Sequence, residues 1–567
     1  MSLTTALLTG KSALTVSQVG LQVTGNNMAN ATTAGFTRQT VAVSPTGDDR
    51  LSSRAYVGRG VRLDEVIRHV DEAVQSRLRL ALSDESASTL QYNLLVQIEG
   101  IQNELTDHDL STALAQFFNS WSELSRTPAD DAARTLTIEQ GVALSENLRS
   151  MREDLETLRQ SIDDDLHAQV SRADALLGQI ANLNKAIVNA EMGVATSSSL
   201  RDQRDALLEE LSGYLDLTTV EQGDGAVDVL VGSIPLVLRD QSRGLQLDLE
   251  TRDNELVASV RVSTDGSKLD VRSGGIGALL EAREADINRG IEHLDELAGA
   301  LIYDVNRLHS QGQGKVGFAS VTGTYRVSHT DIPLNDPATD LPFTIENGSF
   351  QLHLTHTASG SRVSHQIDID LDGIGTDTTL DDLVAQINAE AGPDVTASLA
   401  SNGALKLSAA KGFEVSFSDD SSGVLAGLGI NTYFTGRNAA DIEVNATLIE
   451  NHGRLAAGAD HVTGSNGTAL AISGLGQQPS DSLNGVSIQS FWSAEVEELG
   501  VRTNFARDRA LATSMIREGL QAQESAVSGV SIDEETIQLM NYQRQYEAAA
   551  RFISVIDNVT QILMNLV

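Results

Sequence analysis

The stretch SGVSIDEETIQLMNYQRQYEAAARFISVIDNVTQILMNLV, residues 528–567, decides the fold of this 567-residue chain. Ser531 stands where an N-cap belongs, and Glu534 follows at the third position, the spacing of a capping box. Asp533, Glu534 and Glu535 put negative charge on the positive end of the helix dipole. From there no Gly or Pro interrupts the run. Leu539, Tyr542, Tyr546, Ala549, Ile553, Ile556, Thr560, Leu563 and Val567 recur at alternating spacings of three and four, a heptad seam with one polar position. Val555, Val559, Ile562 and Leu566 make a second stripe beside it. Such a helix is about 50 Å long at roughly 1.5 Å per residue. Alone it is unstable, because nothing covers its seam.

The other end of the chain offers a cover. Leu3, Leu7, Gly10, Leu14, Ser17, Leu21 and Thr24 form a matching heptad of Leu and small residues and predict a helix over 3–24, against the cost of Gly10 and Gly20. Residues 1–44 carry Lys11 and Arg38 and no acid, while residues 525–567 carry five acids and two Arg. That opposite bias favours pairing of the two ends. The N-terminal helix runs out in GNNMANATTAGFTRQ, residues 25–39. Asn and Thr side chains there compete for their own backbone, and Gly35 can supply a positive φ. Taken alone, this stretch reads as a polar C-cap loop.

Net charge is −38, from 78 acidic and 40 basic residues. Nucleic acid or an acidic membrane surface would need a basic face, so neither is an expected partner. Residues 1–79 are mildly basic, with nine basic and six acidic side chains. There is no Cys, which removes disulfides, zinc thiolates and Cys nucleophiles. The first twenty residues lack the charged and apolar regions of a cleavable signal peptide. No apolar run reaches the length of a membrane span.

Between the ends the pattern is mostly helical. Residues 41–60 read as an extended connector, and from Val61 the spacing of Val66, Val70, Ala73 and Val74 predicts helix. Leu90, Leu94, Ile98, Ile101 and Leu105 continue it. A shorter helix carries Leu110, Leu114, Phe117, Phe118 and Trp121, and Asp130 opens a long helical region that runs to about Ile187. Alternating Val220, Val227, Val229 and Val231 around Gly223-Asp224-Gly225 predict a β-hairpin. Helix returns over 273–312 and again over 490–526. Residues 325–440 are dominated by strand patterns with one short helix, Thr379 its N-cap and Leu380, Leu383, Val384 and Ile387 its inner face.

Candidate chemistry is sparse. Asp368, Asp370, Asp372 and Gly373 open like a calcium loop, but Thr379 stands where the bidentate Glu belongs. Ile367, Ile369 and Leu371 alternate with these acids, which also describes a strand with a wet face. His353, His356 and His365 fall on the same strands without a zinc-peptidase pattern. Neither G-x-S-x-G nor a P-loop occurs. No catalytic, cofactor or metal residue is assigned.

NNMANATTAGFTRQ and SGVSIDEETIQLMNYQRQYEAAARFISVIDN together resemble the paired N- and C-terminal signatures of the bacterial flagellar rod, hook and hook-associated proteins. Arg38-Gln39 directly after Gly35-Phe36-Thr37, and the opening SGVSIDEE, favour the hook-associated members. Asp202-Gln203-Arg204-Asp205, and Asn306 with His309, also match the central region of that type. The resemblance implies the motif residues Asn27, Asn30, Thr33, Gly35, Phe36, Arg38 and Gln39. It also implies assembly helices carrying Leu3, Leu7, Leu14 and Leu21 at one end. At the other end stand Ser531, Asp533, Glu534, Leu539, Tyr542, Gln543, Tyr546, Ala549, Arg551, Ile553, Ile556 and Leu563. It implies a structural subunit, not an enzyme, exported unfolded without a cleaved signal. The subunit would form a ring of identical copies on the hook, with a second junction protein and the filament above. An export chaperone would bind the C-terminal helix. A rod or hook subunit is the nearest alternative. A secreted adhesin or an enzyme with coiled-coil ends is the more distant one.

The expected fold is mainly α, elongated and multi-domain. Residues 1–60 with 525–567 would form a terminal coiled-coil domain, and 61–324 with 441–524 a helical bundle containing the β-hairpin region. Residues 325–440 would be an inserted β-rich α+β outer domain.

Overall fold

The computed structural model of the chain describes residues 3–52, 55–104, 109–192, 196–252, 255–459, 462 and 464–566. Leu105 and Val567 of the expected seams lie outside the described residues. The chain divides into two compact units. One holds Met1–Leu94, Ile162–Ala282 and Asn504–Val567, and the other Leu95–Ser161 and Arg283–Thr503. The fold is mainly α, with long helices, several small sheets and an inserted β-rich region.

In the first unit the N-terminal helix, Leu3–Ala29, packs along the C-terminal helix, Ile532–Leu566. The stretch after the N-terminal helix corrects the sequence reading. Residues 61–68 are a strand, and helix begins only at Glu72. Val61–Arg68 pairs antiparallel with Gln39–Pro45, and Asp48–Ser52 with Ala55–Gly58. The reason is legible in hindsight. Val61 and Leu63 alternate with Arg62 and Asp64, the β-branched pair Val66-Ile67 follows, and a β-branched partner strand lies about twenty residues upstream. Further on, helix Ser198–Ser212 ends before Gly213 as expected. The expected hairpin is present: Leu217–Glu221 pairs with Val227–Val231, with Gly225 at φ +87° in its turn. It extends through Ile234–Leu238 and Gln241–Ser242 into a four-stranded meander. Leu245–Arg252 and Glu255–Val262 form a separate hairpin.

In the second unit, helix Leu110–Arg126 starts on Asp109, whose carboxylate accepts from the Thr112 N–H at 2.5 Å. Leu110, Leu114, Phe117, Phe118 and Trp121 are all buried. Helix Asn288–Ser310 carries two buried polar residues that hold the returning chain. The Asn306 carboxamide oxygen accepts from the Tyr433 and Phe434 N–H groups at 2.9 Å each, and its nitrogen donates to the Phe434 carbonyl. The Ala456 N–H donates to His309 Nε2 at 2.9 Å, so Nδ1 carries the proton and donates to the Asn431 carbonyl at 2.8 Å. Burial pulls His309 down to about 4. The rings of Phe117, Trp121, Tyr433 and Phe434 close around this point.

The same unit contains the β-rich block. Strand Gly348–His356 lies between Arg362–Ile369 and Phe413–Ser418, and Leu405–Ala409 lies between Ser320–Thr322 and Val395–Leu399. Helix Leu380–Glu390 carries the expected cap: Asp382 N–H donates to Thr379 Oγ1, and Thr379 N–H donates back to the Asp382 carboxylate. Leu380, Leu383 and Ile387 are buried in one core with Phe350, Leu352, Ile367 and Phe417.

Candidate assembly site at the paired terminal helices

Two helices with long seams approach closely only where side chains make room. Gly10 and Gly20 make that room. A Cβ on Gly20 would stand 2.5 Å from the Tyr542 ring, and one on Gly10 would stand 2.7 Å from Ile553. As the N-terminal helix advances from 10 to 20, its partner recedes from 553 to 542, so the pair is antiparallel with a fixed register. The buried positions of the N-terminal helix are Ala6, Gly10, Val16, Ser17, Gly20, Thr24 and Asn27. Small residues therefore carry the contact. Leu3, Leu14 and Leu21 are half-buried, and Leu7 is 43% exposed. On the partner, Ala549 is buried, while Leu539, Tyr542, Ile553, Ile556 and Thr560 are half-buried. Tyr546 and Leu563 are exposed, as are Asp533, Gln543 and Arg551.

A polar lock closes one end of the pair. Asn27, fully buried, donates to the Gln39 carbonyl at 2.8 Å and accepts from the Gln39 N–H at 3.1 Å. Its amide also donates to Glu535 Oε2 at 3.0 Å. Arg38 Nε donates to Glu535 Oε1 at 2.9 Å, and Arg38 Nη1 lies 3.2 Å from Glu534. The Glu535 residue is only 2% exposed, and both its oxygens are bonded, which is what a buried carboxylate requires. The Arg38 N–H donates to the Ser528 carbonyl at 2.8 Å, tying the loop to the last residue of the helix that precedes the C-terminal one, Ile488–Ser528. Ser531 caps that helix, accepting from the Glu534 N–H at 3.5 Å.

The rest of the N-terminal motif shapes the loop. Asn30 bonds back to the Asn26 carbonyl, and Thr33 donates to Asn30 Oδ1. Gly35 has φ +74°, and a Cβ on it would stand 3.6 Å from the Ala206 side chain, while Phe36 is half-buried. Arg68 bridges Asp202 at 2.6 Å and Asp205 at 2.7 Å, and Arg204, buried, donates to the Gly225 carbonyl. Burial raises the Asp202 carboxyl above its ordinary value, against the pull of Arg68.

Sequence reading missed two parts of this site. Gly20 looked like a helix defect but is the seat of Tyr542. Glu535 looked like a dipole charge but is the shared acceptor of Asn27 and Arg38. The second has a usable signal: of three consecutive acids, it lies nearest the heptad seam.

In the β-rich block, carboxylates of Asp370, Asp372 and Asp377 come within 4.8 Å of one another, largely exposed. Asp368 stays on its strand, accepting from Gln366, and Thr379 is engaged as the helix cap. This cluster carries no assignment as a metal site.

Comparison with known proteins places these features. Residues 95–320 match the model of the "Flagellar hook-associated protein FlgK helical domain", and residues 523–566 match "Flagellar basal body rod FlgEFG protein C-terminal". The flagellar hook-associated protein 1 of Bacillus subtilis is 24% identical over 99% of this chain and 97% of its own length. That of Escherichia coli is 24% identical over 98% of each. The solved structure of the flagellar hook junction protein FlgK from Burkholderia pseudomallei shares the fold. Its TM-score is 0.52 at 16% identity, covering 80% of this chain and all of that one. The chain is thus similar along nearly its whole length to flagellar hook-associated protein 1 sequences, with family matches at its middle and end.

Proposed function

We propose that this chain is the structural subunit of the junction between flagellar hook and filament, built into a ring of copies through its paired terminal helices. Its role is mechanical and involves no catalysis. The hook protein stands beneath it, a second junction protein and the filament stand above, and an export chaperone holds the C-terminal helix before secretion. One observation carries the assembly reading. The C-terminal helix spends its heptad seam on the N-terminal helix and still exposes Ile537, Met540, Val555, Val559 and Ile562. An apolar stripe of that extent on a paired helix is a surface for further copies. Placement as a rod or hook subunit would leave the match of residues 95–320 to the FlgK helical domain without a reason.

Gold-labelled antibody against the chain on isolated hook–filament structures tests the placement. Label confined to the boundary between hook and filament is expected. Label in the basal rod, or spread along the hook, overturns it.

A further inference from the structure

We infer that the helix Leu380–Glu390 is a strap that closes the two free strand edges of the β-rich block, and that those edges are latent pairing surfaces for the same block of a second copy. The two three-stranded sheets of the block run into one another. The Phe318 N–H donates to the Val415 carbonyl at 3.0 Å, and the Val415 N–H donates back to the Phe318 carbonyl at 2.8 Å. Ser320–Thr322, on the same stretch, pairs with Leu405–Ala409. Residues 318–322 therefore join one sheet to the other. The resulting run of strands has two ends, Arg362–Ile369 and Val395–Leu399. A strand end of this kind presents a row of N–H and carbonyl groups on which another chain can pair.

The helix touches both end strands. Ile387 points into the core and is fully buried. Successive helix residues lie about 100° apart, so Gln386 and Asn388 leave the helix on opposite flanks of Ile387. Asn388 donates to the Ala397 carbonyl at 2.9 Å and accepts from the Ala397 N–H at 2.8 Å. Gln386, its carboxamide nitrogen turned to the Asp368 carbonyl, donates there at 3.0 Å and accepts from the Asp368 N–H at 3.1 Å. Each carboxamide thus gives one strand residue the donor and the acceptor that a neighbouring strand would give. Thr378 extends the cover: its N–H donates to the Asp370 carbonyl at 2.7 Å, and its Oγ1 accepts from the Asp370 N–H at 2.9 Å. The partner under the strap is fixed by main-chain geometry. One edge is self-complementary, because two copies of it align antiparallel about a two-fold axis with donors opposite acceptors. A second copy of the chain carries the identical edge.

Sedimentation velocity of the full chain carrying Gln386→Ala, Asn388→Ala or both tests this, with native far-UV circular dichroism showing that folded protein is compared. Each single variant opens one edge. Pairing of one edge about a two-fold axis closes on itself, so dimers that grow no further are expected beyond the native chain's own distribution. The double variant opens both ends of the run, and longer chains are expected. Val363, 57% exposed on the first edge, and Thr396, exposed on the second, carry the control. Val363→Lys added to Gln386→Ala, or Thr396→Lys added to Asn388→Ala, sets like charges against each other across the new pair and is expected to restore the native distribution. Unchanged sedimentation of the variants overturns the inference. So does association that the added Lys leaves in place, which comes from exposed core and not from the edges. Where the double variant loses its fold, the two single variants and their Lys controls decide in the same way.

Discussion

Tyr542 lies over Gly20 so closely that a Cβ there would stand 2.5 Å from its ring. This one contact fixes both the register and the separation of the terminal helices. A glycine inside a helix ordinarily costs about 1 kcal/mol relative to alanine. Here the cost purchases an approach that no other residue permits. Gly20→Leu must push the helices apart, and overpacking of this kind costs roughly 1–3 kcal/mol. Hydrogen exchange over residues 3–29 is expected to speed up. Gly25 is the control: nothing lies within 4 Å of its Cβ position, so Gly25→Ala is expected to slow exchange through a gain of about 0.5–1 kcal/mol.

Arg38 has two acidic partners of unequal weight. Glu534 has a side chain 63% exposed, and surface pairs contribute under about 1 kcal/mol. Glu535 is buried, and removing its cation leaves a desolvated carboxylate. Breaking such a pair costs on the order of 3–5 kcal/mol when both members are buried, and Arg38 is partly exposed, so about 2–3 is expected. Chemical denaturation should therefore show a large loss for Arg38→Ala and a small one for Glu534→Ala. Equal losses would mean that Glu535 contributes nothing through Arg38.

The interior of the second unit is acid-sensitive through His309. Its folded value, about 4, lies below the ordinary 6.5, because burial disfavours the charged ring and Nε2 must stay an acceptor for the Ala456 N–H. A depressed value means the unfolded chain takes up the proton first. Stability is full above pH 6.5 and declines as pH falls towards 4, by roughly 3 kcal/mol at about 1.4 kcal/mol per pH unit. His293 has the opposite sign. The Glu495 carboxylate raises it, so its contribution is full below 6.5 and is lost as pH rises from there through its raised value. Denaturation followed by tryptophan fluorescence should show the acid loss intact in His293→Asn.

Asn306 holds the segment that returns from the β-rich block. Truncating it leaves the Tyr433 and Phe434 N–H groups buried without an acceptor, at about 1–3 kcal/mol each. Asn306→Ala is expected to lower the melting temperature of the full chain clearly, while Asn388→Ala, at an exposed side chain on the helix Leu380–Glu390 that bonds the Ala397 backbone of an edge strand, lowers it less. Deleting residues 325–440 removes Asn431, Tyr433 and Phe434 together, so that deletion is expected to disturb the helices around Trp121 as well.

Much of this was written in the sequence. The C-terminal helix, its cap, the hairpin at Gly225 and the capped helix at Thr379 follow from local patterns, because caps and periodicity act within a few residues. The strand at Val61–Arg68 did not, because four apolar residues around it satisfy a helical spacing and only its partner strand settles the choice. At the assembly site, Asn27 and Arg38 were legible as motif residues. Glu535 and Gly20 were not legible in their roles, since those depend on contacts between positions more than 490 apart. Leu7 shows the converse: the seam it belongs to is real, but the buried face is centred on the small residues beside it.

The central claim is that the paired terminal helices build this chain into the flagellum. Electron microscopy of cells whose only copy lacks residues 533–567 tests it most directly. The account predicts hooks without attached filaments and no swimming. Hooks carrying filaments, with swimming at the native level, would contradict it.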